Sequence, residues 1–139
     1  MFNNKQYILF LGYMLILSQF IYSGFNKILY FNKKVNILQK KTHNFFPKLI
    51  SEMGMIAVII LEILGSLALL FLVFWNMKNK NSKQNDINKK IIIGILVAFI
   101  LFILLVTIIY HPPSKHKMIP FMSNISIMGI FVLLIGIII

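Results

Sequence analysis

Apolar residues fall into four long runs, separated by polar connections rich in lysine. The runs cover roughly residues 7–31, 53–75, 91–110 and 119–139. Each is near the ~20 residues that carry an α-helix across a ~30 Å hydrocarbon layer. None alternates apolar and polar positions in period two, so the strands of a closed barrel do not fit. The pattern predicts an all-α chain, an antiparallel four-helix transmembrane bundle running up and down through short connections. The polar connections are too short to hold a soluble domain, so residues 1–139 read as a single transmembrane domain.

The connections differ in character. The first, "NKKVNILQKKTHNFFPKLISE", interleaves Lys33, Lys34, Lys40, Lys41 and Lys48 with Val35, Ile37, Leu38, Phe45 and Phe46. That mix suits a segment lying in the interface, apolar side down and lysines among the headgroups. The second, "NMKNKNSKQNDINKK", has no apolar pattern and reads as a solvated, flexible loop. In the third, "HPPSKHKM", Pro112 and Pro113 end the third helix and turn the chain back. The first run is long for a secretory signal, carries Gln19 and lacks a small-x-small cleavage site, so it reads as a retained helix.

Composition supports the membrane class: 59% of residues are hydrophobic, 12% are charged, and mean hydropathy is +0.87. The net charge of +11 comes from fourteen lysines and no arginine, against Glu52, Glu62 and Asp86. Nearly all the lysines flank helix ends. There they meet lipid phosphates, which attract basic residues by about 1 kcal/mol each. No folded basic face outside the bilayer is left for nucleic acid, so the expected partner is the lipid bilayer. Lys5 and five lysines of the second connection balance five in the first and two in the third, so charge does not set the orientation. The absence of cysteine excludes disulfides, thiolate metal sites and thiol–disulfide chemistry.

The polar residues inside the runs carry the candidate chemistry. Gln19, Ser23, Asn26 and Tyr30 share one face of the first helix, with Gly12 in line and Lys27 at its margin. Such a stripe is expected to point into the bundle or at a partner. In the second helix Ser51, Glu62, Gly65 and Ser66 share a face, and its small residues permit close helix approach. Call the side of the first and third connections side B. Lys27 then lies about 6 Å from that helix end, Glu62 about 10–15 Å in, and Asn124 about 8 Å in. Tyr110 and His111 close the third helix on the same side.

A lone ionised carboxylate at that depth is expensive, so Glu62 is either protonated or paired. Lys27 is the cation within reach. The expectation is a Lys27–Glu62 contact, direct or through water, in a buried polar cluster with Tyr110, His111 and Asn124. Two plainer alternatives stand beside it: Lys27 extending outward to the headgroups, and a pair that fixes helix register without chemistry. His43, His111 and His116 all lie on side B, but their spacing is not that of a metal site and none is mid-helix, so neither metal nor bis-His haem is expected.

Three segments in order resemble the DoxX-like family of small four-helix membrane proteins. "FIYSGFNKILYF" (20–31) is similar to the end of that family's first helix, and "LEILGSLALLF" (61–71) to its second-helix signature of a Glu followed by small residues. "IIYHPPSKHKMIPFMSNISIMGIFVLL" (108–134) is similar to its aromatic/His helix end, tight turn and Asn in the fourth helix. The chain departs from the pattern at Ser66, where the family often has a second Gly, and in its longer second loop. The resemblance implies an accessory role: some members are named as the small membrane subunit of a thiosulfate:quinone oxidoreductase, and others as partners in oxidative-stress complexes.

No independent catalytic motif is present and no cofactor ligand set is evident. The expected function is an accessory membrane subunit or scaffold that binds a protein partner, a second copy or a quinone through the polar cluster. The alternative is a transporter or channel for a small solute or proton, since buried ionisable residues mark permeation paths. A purely structural or lipid-interacting membrane protein is the third reading.

Overall fold

A computed structural model of the chain describes residues 4–78, 82–111 and 118–138. These form five helices: α1 (Asn4–Leu29), α2 (Phe31–Lys41), α3 (Lys48–Lys78), α4 (Ser82–Tyr110) and α5 (Met118–Ile138). There is no strand among the described residues. α1, α3, α4 and α5 are long and apolar enough to cross a membrane, and most of their side chains face outward, as lipid contact requires. The chain is an all-α, multi-pass integral membrane protein.

Several helix limits differ from those the hydropathy pattern predicts. α1 stops at Leu29 because Tyr30 leaves helical geometry (φ −115°, ψ 34°), and α2 starts at the next residue. α3 takes in polar residues at both ends of the apolar run. The largest departure is in the second connection, where a flexible loop is expected. Residues 82–90 there are helix, while 79–81 lie outside the described residues. Extending an existing helix is far easier than nucleating one, so polar residues beside an apolar span join it. Side chains hold this extension in place: Asn88 Nδ2 donates to Asn76 Oδ1 at 2.8 Å, and Gln84 Nε2 donates to Asn88 Oδ1 at 3.3 Å. Asn88 is buried.

α2 carries exposed lysines, Lys33, Lys40 and Lys41, and one buried apolar side chain, Val35. The helix ends in a left-handed pair, His43 (φ 53°) and Asn44 (φ 57°), where the Asn44 N–H returns to the Gln39 carbonyl at 2.8 Å. Asparagine tolerates this region better than most residues with a side chain. Phe45 and Phe46 then pack edge to face, 5.1 Å between centroids, ahead of Pro47 and the start of α3.

The helices divide into two compact units, Met1–Asn88 and Lys89–Ile139. In the first, α1 packs against α3. The pair is antiparallel, because Lys27 near the end of α1 meets Glu62 and Phe10 near its start meets Phe74. Tyr13, Leu17, Phe20 and Gly24 form the buried stripe of α1, and α3 contributes Ser51, Met55, Glu62, Ser66, Leu69 and Val73. In the second unit, Asn124 meets Thr107 and Phe131 meets Phe99 with centroids 5.6 Å apart, so α4 and α5 are antiparallel too. Lipid tails are as apolar as leucine, so what holds such helices together is close packing and interhelical hydrogen bonding.

α3 is not uniformly α-helical. A π-helical turn occupies Leu61–Gly65, between the α-helical segments Lys48–Ile60 and Ser66–Lys78. π-turns are rare and commonly occur at functional positions. This one carries Glu62.

Candidate functional site

The site starts from spacing on α1. Ser23 and Lys27 are four residues apart, which sets them one above the other on one face of the helix. Gly24 lies beside them on the buried stripe. A Cβ added at Gly24 would sit 2.5 Å from Ile63 Cγ1 and 3.3 Å from Glu62 Cβ. Only a residue without a side chain lets the π-turn press this close to α1, and that approach brings the carboxylate within reach of the lysine.

The resulting geometry is a closed triad. Lys27 Nζ donates to Glu62 Oε1 at 2.7 Å, to Glu62 Oε2 at 2.8 Å and to Ser23 Oγ at 2.6 Å. Ser23 Oγ in turn donates to Glu62 Oε1 at 3.2 Å. All three ammonium protons are engaged, and both carboxylate oxygens accept. These charge-assisted bonds are short, as such bonds are. The Glu62 side chain is 3% exposed and that of Lys27 is 19% exposed, so the lysine turns inward to the acid instead of outward to the headgroups. The two charges neutralise each other where either alone would be costly.

Other hydroxyls on these helices are idle. Those of Tyr13, Ser51 and Ser66 are buried with no hydrogen-bond partner among the described residues. Ser66 stands one turn beyond Glu62.

Tyr110, His111 and Asn124 belong to the second unit. There Asn124 Nδ2 donates to Thr107 Oγ1 at 3.0 Å, and Thr107 donates to the Ile103 carbonyl at 2.7 Å. The rings of Tyr110 and His111 lie side by side, 6.5 Å apart. His43 is exposed, and His116 lies outside the described residues. Among the described residues no three His, Cys, Asp or Glu side chains gather. Gly65 lies within the π-turn and Ser66 is buried, and of the polar face of α1 Ser23 and, at its margin, Lys27 enter the triad. Gln19 and Tyr30 are exposed and Asn26 is half-buried, and the Gly12 Cβ direction meets open space. The stripe that packs within the chain is the apolar one through Tyr13, Leu17, Phe20 and Gly24. A ridge of large apolar side chains ending in a glycine fits a neighbouring helix better than a row of amides does.

Thr107 and the packing role of Gly24 escape a reading by polarity. Thr107 is the lone hydroxyl within residues 91–109, which is a signal in itself. The π-turn has no counterpart in residue pattern.

Fold and triad together define a small multi-pass membrane protein built around a buried intramembrane ion pair. Comparison with protein-family models, with curated proteins and with solved structures finds no match to this chain.

Proposed function

We propose that the chain is an accessory subunit or scaffold of a membrane assembly, with the Lys27–Ser23–Glu62 triad as its internal anchor and a link to quinone chemistry. The observation that carries this reading is the closure of the triad. Every ammonium proton is already engaged, so the pair sets how α1 meets the π-turn and offers no idle acid or base. The quinone link rests on the ordered DoxX-like resemblance and on the idle, buried hydroxyl of Ser66, a donor suited to a quinone carbonyl. Titration of the purified chain with a short-chain quinone analogue, followed by Trp75 fluorescence and thermal stability, should give a saturable change that Ser66→Ala weakens. No quinone-dependent change would remove the redox link. The subunit reading predicts a stoichiometric protein partner after mild-detergent purification, and a chain that always purifies without one argues against it.

A second reading, transport of a proton or small solute, draws on the π-turn, because interrupted helices at buried charges recur in transporters. Proteoliposomes would then show a flux that Glu62→Gln abolishes. Absent flux, or flux indifferent to that change, disposes of it.

A further inference from the structure

One face of α1, which carries Gln19 and Asn26 and which the described residues of Met1–Asn88 leave largely uncovered, has a regular register. Gly12, Leu15, Gln19, Tyr22, Asn26 and Leu29 follow one another at alternating intervals of three and four residues, the a/d spacing of a left-handed helix pair. The stripe runs along most of α1. Leu15, Gln19, Tyr22 and Leu29 are all exposed, with Tyr22 74% and Leu29 76% accessible. Gly12 opens on empty space, which leaves room for a second backbone. Gln19 lies about 12 Å along the helix from Lys27 and about 21 Å from Lys5, well inside the hydrocarbon layer. Among the described residues its carboxamide has no hydrogen-bond partner. A primary amide left in lipid loses the bonds it would make in water, so it seeks another helix.

We propose that this stripe is the interface of a parallel homodimer, in which α1 of one copy packs against α1 of a second across a two-fold axis normal to the membrane. The occupant is a second copy because the groups on the stripe complement themselves. A carboxamide has one acceptor and one NH2 donor, so Gln19 facing its own counterpart forms two reciprocal hydrogen bonds. Asn26, at the equivalent position one heptad on, repeats the arrangement. Between Gly12 and Leu29 no charge lies on the stripe to repel its copy, since Lys27 is turned away toward Glu62; Lys5, one heptad before Gly12, sits at the helix start, about 21 Å along the helix from Gln19. A polar residue at an a position fixes register and strand number in such pairs, and two of them at heptad spacing specify parallel, in-register helices. This interface lies on a different face of α1 from the triad and does not depend on the function proposed above.

The absence of cysteine makes the test direct. Single-cysteine variants Leu15→Cys and Tyr22→Cys, oxidised in native membranes, should give covalent dimers several-fold more abundantly than Met14→Cys, an exposed position off the stripe on the same helix. In the Tyr22→Cys background, Gln19→Leu should lower the dimer yield several-fold, while Gln19→Asn, which keeps the amide, lowers it less. Gln19 is exposed, so these changes leave the packing of α1 on α3 intact, and an unaltered thermal melt of the monomer verifies this. Cross-linking that is absent on the stripe, or equal on and off it, overturns the proposal. Yields indifferent to Gln19→Leu overturn the role given to the amide.

Discussion

Replacing Lys27 with methionine keeps most of the side-chain volume and removes the charge. Glu62 would be left 3% exposed, with Ser23 at 3.2 Å as its remaining donor. At 2.7 Å the attraction between the two charges is about 6 kcal/mol for an effective dielectric near 20. Part of that offsets the cost of withdrawing both groups from water, and removing one member of such a pair costs about 3–5 kcal/mol. Lys27→Met and Glu62→Gln should therefore each destabilise the fold strongly. Lys27→Met combined with Glu62→Met leaves no uncompensated charge and should return to within ~2 kcal/mol of the parent. The assay is reversible unfolding in mixed micelles followed by far-ultraviolet circular dichroism, with the coupling energy taken from the four-member cycle. A charge swap, Lys27→Glu with Glu62→Lys, should recover part of the folded yield. The reasoning fails if both single variants unfold within ~1 kcal/mol of the parent and the coupling is below ~0.5 kcal/mol.

Three further outcomes follow from the packing. Gly24→Ala forces Ile63 or the π-turn to move and should cost about 1–3 kcal/mol, with Ile63→Ala restoring part of the loss in the same unfolding assay. Thr107→Val strips Asn124 of its acceptor and should cost about 0.6 kcal/mol, the average for interhelical hydrogen bonds in membranes, and no more than about 1.7, and adding Asn124→Leu should bring stability back toward the parent. Asn88→Ala removes the bonds to Asn76 and Gln84, so amides in residues 84–90 should exchange at least several-fold faster while those of residues 96–104 stay unchanged. Uniform exchange across α4 in both proteins would show that these amides do not hold the helix start.

What residue order alone conveys about this protein is set by lipid. A hydrocarbon layer demands ~20 apolar residues for every helical crossing, so the four spans stand out wherever they occur. It penalises an unpaired charge just as generally, so Glu62 signals its need for a cation and Lys27 is the one in range. Those costs attach to individual residues and can be read one position at a time. The rotation of α1 cannot. Its amide stripe and its apolar stripe are both reasonable inner faces, because lipid gives no hydrophobic preference for inside over outside. Shape decides between them, and Phe20 and Gly24 fit α3 where Gln19 would not. The fit of Gly24 against the π-turn, the Thr107–Asn124 bond and the Asn88–Asn76 bond likewise join residues distant along the chain. Such contacts exist only once helices have met, and each depends on fits of a few tenths of an ångström that no local pattern encodes.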